Sequence, residues 1–205
     1  WVCLMALAAI SFSAPLMAAD RGYIGVRSGA GNGTVETGGA ASQVELYAGY
    51  EIIPQVSLEL GLLKRDADHN DRDFLRTWQT EVELRGVVFS GRFELPSAER
   101  WRAHARLGLA NFDVNTSSRF TILDVRDESG QSSTYTGRAA FGTSSIGYLA
   151  ALGASYSLSE HWSLGFEVQR LNGEFRDRCN STPGLCPVER AGQLDAAALS
   201  VSYEF

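Results

Sequence analysis

The fold class this sequence predicts is all-β, an eight-stranded antiparallel up-and-down transmembrane β-barrel, and three observations predict it. Alternation of apolar with small or polar residues at period two recurs in eight segments between residues 20 and 205. The connections between those segments alternate strictly between short and long, which a barrel with short turns on one side of a membrane requires and a soluble sandwich does not. The last segment sets Leu199, Val201, Tyr203 and Phe205 against Ser200, Ser202 and Glu204, one apolar face and one small or polar face.

Residues 1–19 form an uncharged, mostly apolar stretch closing on Ala14-Pro15-Leu16-Met17-Ala18-Ala19, just before the first charges at Asp20 and Arg21. This reads as the N-terminally truncated remainder of a secretory signal peptide cut after Ala19, leaving residues 20–205 as a single barrel domain. Beyond residue 19 no apolar run reaches the ~18 residues that a membrane helix needs. The net charge of -6 argues against nucleic acid as a partner. Twenty-one glycines and 10% aromatic residues suit one all-β unit.

Taken in order, the candidate strands run over 22–29, 43–52, 56–65, 77–93, 101–114, 140–157, 162–172 and 193–205. Several match the ~9–11 residues a tilted strand needs to cross a membrane. The second sets Val44, Leu46, Ala48, Tyr50 and Ile52 against Glu45, Tyr47, Gly49 and Glu51. A short turn at 53–55 leads to the third, where Val56, Leu58, Leu60 and Leu62 oppose Ser57, Glu59 and Gly61. In the fourth, Val82, Leu84 and Val88 are read as the apolar face, opposite Gln79, Glu81, Glu83 and Arg85. After the turn at 96–100, the fifth divides Trp101, Ala103, Ala105, Leu107 and Leu109 from Arg102, His104, Arg106 and Gly108. The sixth has no resolvable phase, because Tyr148, Ala150, Leu152 and Tyr156 compete with Leu149, Ala151 and Gly153. The seventh follows the turn at 159–161 and sets Trp162, Leu164, Phe166 and Val168 against Ser163, Gly165, Glu167 and Gln169. Long connections are expected at 30–42, 66–76, 115–139 and 173–192, with the fifth and sixth strands continuing into the third of these as a hairpin about Asp127-Glu128-Ser129-Gly130.

The polar faces carry both signs of charge. In a closed eight-stranded barrel, just wide enough for side chains to fill, these charges must pair. The expected lumen network is Glu59, Glu81, Glu83, Arg85, Arg102, Arg106 and Glu167, with His104 beside it and Gly49, Gly61, Gly108 and Gly165 relieving crowding. Trp78, Trp101, Trp162, Tyr203 and Phe205 lie near the ends of apolar faces, as interfacial girdles require. Cys179 and Cys186 enclose a turn-rich loop in an exported chain and are expected to form a disulfide. Neither His104 nor His161 has zinc-ligand spacing to them.

With these residues in place, the chain resembles the small outer-membrane β-barrel superfamily of Gram-negative bacteria, the eight-stranded group that includes the OmpA transmembrane domain, OmpX, Ail and opacity-like porin-family proteins. The resemblance rests on the signal segment, on Tyr203-Glu204-Phe205, and on the strand-turn-strand passage from Gly153 to Leu164 ahead of Glu167. It implies location in the bacterial outer membrane and recognition of Leu199, Val201, Tyr203 and Phe205 by the barrel assembly machinery. It also implies partners among outer-membrane lipid and lipopolysaccharide, to whose phosphates Arg65, Arg72, Arg126, Arg176 and Arg178 could bind.

Two further residue groups have the look of chemical sites. His161 and Ser163, with Glu174 further on, are similar to the triad of barrel lipid A deacylases, but a turn near the short-connection end is the wrong place for an outer-leaflet substrate. Asp66, Asp68 and Asn70 have the odd-position spacing of a calcium loop, yet Asp71 stands where a turn glycine is needed and Thr77 where the closing Glu would be. The expectation is therefore a non-enzymatic, monomeric barrel without cofactor or metal. Its function is structural or surface-interacting, adhesin-like, with a host or surface ligand bound through long extracellular loops. A small pore is the second reading and a lipid A-modifying enzyme the third.

Overall fold

A computed structural model of the chain describes residues 22–33, 40–73, 76–95, 100–126, 132–175 and 190–205. The expected signal segment and both Cys179 and Cys186 lie outside these residues. Eight antiparallel strands form one closed barrel: β1 (Gly22–Gly33), β2 (Ala40–Ile53), β3 (Val56–Asp73), β4 (Arg76–Leu95), β5 (Trp101–Arg126), β6 (Ser132–Ser157), β7 (Trp162–Phe175) and β8 (Arg190–Glu204). Each strand pairs with its neighbours in sequence, and β1 closes the ring on β8, from Tyr23 opposite Glu204 to Gly33 opposite Leu194. Closure satisfies the backbone of both end strands, which lipid demands because it offers no hydrogen bonds. The seam is locked at the bottom, where the Phe205 amide donates to the Gly22 carbonyl at 3.0 Å and the Phe205 ring takes the space a Gly22 Cβ would fill.

The outward face is a belt of exposed apolar residues. On β6 it runs from Ile146 through Tyr148 and Leu152 to Tyr156. At about 3.3 Å per residue and a tilt of about 40°, that stretch has a height of roughly 25 Å, the thickness of an outer-membrane apolar band. At the short-turn end the belt finishes in paired aromatic rings, Trp101 with Tyr156 at 5.0 Å and Trp162 with Tyr203 at 5.1 Å. The Trp78 side chain lies outside the described residues. Pro54 and Gln55 make the tight β2–β3 turn; Gln55 adopts a φ of 76° and its carbonyl accepts from the Glu94 amide at 2.7 Å, tying the turn to β4.

The faces of β2, β3, β5, β7 and β8 point as their alternation predicts, and β6 resolves with Leu149, Ala151 and Ser155 inward and Tyr148 and Leu152 outward. Strand β4 is a correction. Leu84, Val88, Ser90 and Arg92 face inward, whereas Glu81, Arg85, Val87, Phe89 and Phe93 face outward. The polarity of each β4 face reverses near Gly86. Below it the outer face meets lipid and is apolar; above it the outer face meets water and carries Glu81, Glu83 and Arg85, while the inner face becomes apolar.

The connections are a second correction. Residues expected as the long loop 66–76 belong mostly to β3 and β4, which stay paired to Asp73 opposite Arg76. Density of charge suggested a loop, but a ladder standing in water solvates charged side chains on its faces. The third long connection is the foreseen hairpin, with β5 and β6 paired as far as Arg126 opposite Ser132 past a bulge between Ile122 and Val125.

A charge on the belt should therefore cost stability according to depth. Leu152→Arg, near mid-belt, is expected to destabilise by about 2–4 kcal/mol, and Ser144→Arg, outward but above the belt, by less than ~1 kcal/mol. Denaturant titration of folding into lipid vesicles checks this, and equal costs at both positions would remove the assigned belt.

Candidate functional site

The barrel interior is built in two levels. Toward the short-turn end, Arg27 of β1, Arg92 of β4 and Arg106 of β5 face Glu45 of β2, Glu59 of β3 and Glu167 of β7. Arg106 has no solvent exposure at all (0%). Its Nη1 donates to Glu45 Oε1 at 2.8 Å, and its Nη2 donates to Glu167 Oε1 at 2.7 Å and Gln169 Oε1 at 3.0 Å. Arg27 donates to Glu59 Oε2 at 2.7 Å and Glu45 Oε1 at 3.2 Å, and its guanidinium lies 3.6 Å over the Tyr47 ring. The Tyr23 hydroxyl donates to Glu59 Oε1 at 2.9 Å.

His104 links two parts of this network. A guanidinium only donates and a carboxylate accepts, so the neutral ring carries its proton on Nε2, toward Glu167 Oε2 at 3.3 Å, and receives Arg92 Nη2 at Nδ1 at 3.4 Å. Glycine makes the arrangement fit: a Cβ at Gly61 would collide with the Glu45 carboxylate. Three guanidinium groups against three carboxylates leave the level without net charge, the condition under which buried ions are tolerable.

Above it lies an apolar level formed by Leu63, Leu84, Val88, Ala110, Phe112, Val114, Leu149, Leu171 and Leu194, with Val82 packed against it. Phe112 is 1% exposed at its centre. Below the network, the vestibule lined by Tyr23, Glu51, Ser57, Glu94 and Glu204 holds only about 70 Å³. Side chains fill the lumen through the ionic level and around Phe112.

Among the described residues the wall continues beyond the membrane on one side only. The β2–β3 ladder stops at Ala41 opposite Ala67, and the β6–β7 ladder at Gly147 opposite Gly173. The β3–β4, β4–β5 and β5–β6 ladders go on, so a four-stranded sheet projects from the barrel. On its outer face a basic rung, Lys64 opposite Arg85, is followed by two acidic rungs, Asp66 opposite Glu83 and Asp68 opposite Glu81. Arg85 donates to Glu83 Oε1 at 2.6 Å and Lys64 lies 3.4 Å from it. The hydrogen bond from Arg85, with Lys64 beside it, holds the Glu83 carboxyl below the usual carboxylate range. A depression of about 560 Å³ on this face is lined by Asp66, Asp68, Glu81, Glu83, Asn115 and Ser117, among others.

Of the residues expected in the lumen, Glu59, Arg106 and Glu167 meet there, and Arg102 lies at its lower mouth, 3.6 Å from Glu94 and 3.8 Å from Glu204. Glu81, Glu83 and Arg85 do not: they are on the projecting outer face because β4 has the opposite phase. Arg27, Glu45 and Arg92, outside the expected set, complete the network. Arg92 had a signal, since Phe89 and Phe93 mark the lipid-facing phase of β4. Arg65 points inward rather than toward lipid phosphates. The Arg72, Arg126, Arg176 and Arg178 side chains lie outside the described residues.

His161 and Ser163 do not form a dyad among the described contacts. His161 Nδ1 donates to the Glu204 carbonyl at 3.1 Å, and Ser163 Oγ donates to Glu204 Oε1 at 3.5 Å. Glu174 is eleven residues further along β7 from Ser163, roughly 35 Å at strand rise. Asp66 and Asp68 sit on an extended ladder that cannot wrap an ion, and no metal-ligand cluster occurs among the described residues.

The family model described as "Outer membrane protein beta-barrel domain" matches residues 4–205. Among solved structures the chain is similar to Neisserial surface protein A, at 13% identity and a TM-score of 0.55, covering 90% of this chain and 97% of that one. It is also similar to Ail, the attachment invasion locus protein of Yersinia pestis, at 10% identity and a TM-score of 0.48, covering 91% and 100%. No curated protein matches it in sequence.

Two outcomes follow from the filled interior. Arg106→Met strands Glu45 and Glu167 and is expected to cost about 3–5 kcal/mol, with Glu45→Gln added to it recovering part of the loss; Arg85→Ala on the outer face should cost less than ~1 kcal/mol. Equal costs for Arg106 and Arg85 in denaturant titrations would contradict the burial of the network. In planar bilayers, refolded residues 20–205 should insert without discrete current steps; reproducible steps would mean that the two levels leave a path.

Proposed function

This chain belongs to the outer-membrane protein β-barrel domain family and is located in the bacterial outer membrane, and from that premise we propose that it is a monomeric surface-interaction protein that acts by binding rather than catalysis. The observation that carries this reading is the projecting sheet of β3 to β6. Strands β5 and β6 are each 26 residues long, more than twice the ~9–11 that a crossing needs. In barrels of this kind the short turns face the periplasm and the long connections face outward, which makes the sheet extracellular. Its hydrogen-bonded rungs give a ligand a fixed surface.

The interior supports the same reading against the pore, because a balanced ionic level under an apolar one leaves an ion neither space nor a hydrated path. Closure of the ring leaves no strand edge in the membrane for a second copy to complete, in keeping with a monomer. The lipid partner is read from the outer face, where the apolar belt gives way to Lys64 and Arg85 at the level of headgroup phosphates.

The register allows a clean test. Asn115 and Gly142 are opposite one another, so residues 116–141 can be replaced by an Asn-Gly turn without disturbing the barrel below. Cells producing the full chain are expected to adhere to host-cell layers, and cells producing the shortened chain to adhere no better than cells without it, with both proteins assembled to the same level. Undiminished adhesion by the shortened chain would move the activity away from this hairpin.

A further inference from the structure

The three buried arginines of the lower level have three buried glutamates; a fourth buried arginine forms no ion pair among the described residues, and Asp195 acts on it only from a distance. Arg65 points inward on β3, one alternation above Leu63 and therefore beside the apolar level, and is 4% exposed. Its Nη2 donates to the backbone carbonyl of Asp195, across the lumen on β8, at 3.3 Å. Among the described residues no carboxylate forms an ion pair with it. The Asp195 carboxylate is engaged on the outer side of the wall, where Arg170 donates to both of its oxygens at 2.7 and 3.1 Å.

Directly opposite Arg65 on β2 stands Gln43, also inward and buried, whose Nε2 has no acceptor among the described residues. The buried Gln43 amide thus presents N–H groups that no described acceptor meets, beside a side chain that carries a full positive charge. The small residues Gly29, opposite Gln43 on β1, and Ala198, opposite Gly29 on β8, form the adjacent wall.

We infer that Arg65 and Gln43 form a binding site for a small soluble oxyanion, a carboxylate or a phosphate, inside the long-hairpin end of the barrel. A guanidinium beside apolar side chains is costly in a protein interior, and the one charge the described residues set near Arg65, that of Asp195, is already engaged by Arg170. A water molecule would accept hydrogen bonds but add no negative charge to the share that Asp195 supplies from outside the wall. An oxyanion does both: two of its oxygens match the planar fork of Arg65, and the Gln43 amide supplies a further donor. Both side chains face the lumen, with the wall between them and lipid, so the ligand is a soluble anion rather than a headgroup.

The test uses refolded residues 20–205 in uncharged sugar-detergent micelles, titrated with inorganic phosphate and with acetate at constant ionic strength set by chloride. The readout is the NMR shift of the Arg65 Nε–H and the Gln43 side-chain amide. Saturable shifts of both resonances are expected, with affinity about tenfold weaker in Gln43→Leu and the saturable shift of Gln43 lost in Arg65→Met. Arg65→Lys keeps the charge without the fork and should also bind about tenfold more weakly, which preserves the test if the methionine variant does not fold. Shifts that never saturate in the parent protein, or a saturable Gln43 shift that survives replacement of Arg65, would overturn the assignment.

Discussion

The contact on which the rest of the molecule depends is the pair of hydrogen bonds from Arg106 to Glu45 and Glu167. These two bonds join β5 to β2 and β7 across the middle of the lumen, so they fix the cross-section of the barrel as no neighbour-to-neighbour ladder can. Ladders set which strand lies beside which; they do not set how open the ring is. Arg27 and Arg92 repeat the bracing at nearby heights through Glu59, and Tyr23 and His104 use the lone pairs and protons left over. Every strand from β1 to β5, and β7, contributes to this set. The arrangement is worth its desolvation cost only while complete, because the loss of one ion strands another in a space that water does not freely reach.

A second organising constraint is the change of solvent along the barrel axis. Where lipid surrounds the wall, the apolar residues are outside and the ions inside. Where water surrounds it, the apolar residues are inside and the ions, the inward Arg65 apart, outside. Leu84 and Val82 lie above Arg92 on the same inner face of β4, while Arg85 lies above Phe89 on its outer face. The apolar level around Phe112 is an ordinary soluble core enclosed by the upper wall, and the projecting sheet grows from it.

This inversion also explains which parts of the molecule could be read from the residues alone. Strands β2, β3, β7 and β8 have lipid-facing alternation long enough to show their phase directly. In β4 the two halves of the strand give opposite answers: Glu81, Glu83 and Arg85 make one alternation polar, and Val87, Phe89 and Phe93 make the same alternation apolar. In β6 alanine and glycine occupy both faces near the middle, so polarity carries no phase, and only pairing with β5 and β7 supplies one. Arg27 was missed because β1 is mostly glycine and small residues, too weak in alternation to show that its one arginine faces inward. Register and closure, which bring Arg27 within reach of Glu59, are tertiary facts with no local trace.

The long ladder of the β5–β6 hairpin, interrupted only by the bulge between Ile122 and Val125 among the described residues, has a mechanical consequence. Above the apolar belt, from Asn111 to Arg126, it continues for roughly 50 Å along the strand at about 3.3 Å per residue. A slack loop of the same length would let a tethered object wander and would absorb a pull by straightening. A braced ribbon behaves as a cantilever: whatever grips its tip is held at a set distance from the cell surface, and a sideways load reaches the barrel wall as a torque. The Phe112 core and the Arg106 crosslinks below it lie where that torque is taken up.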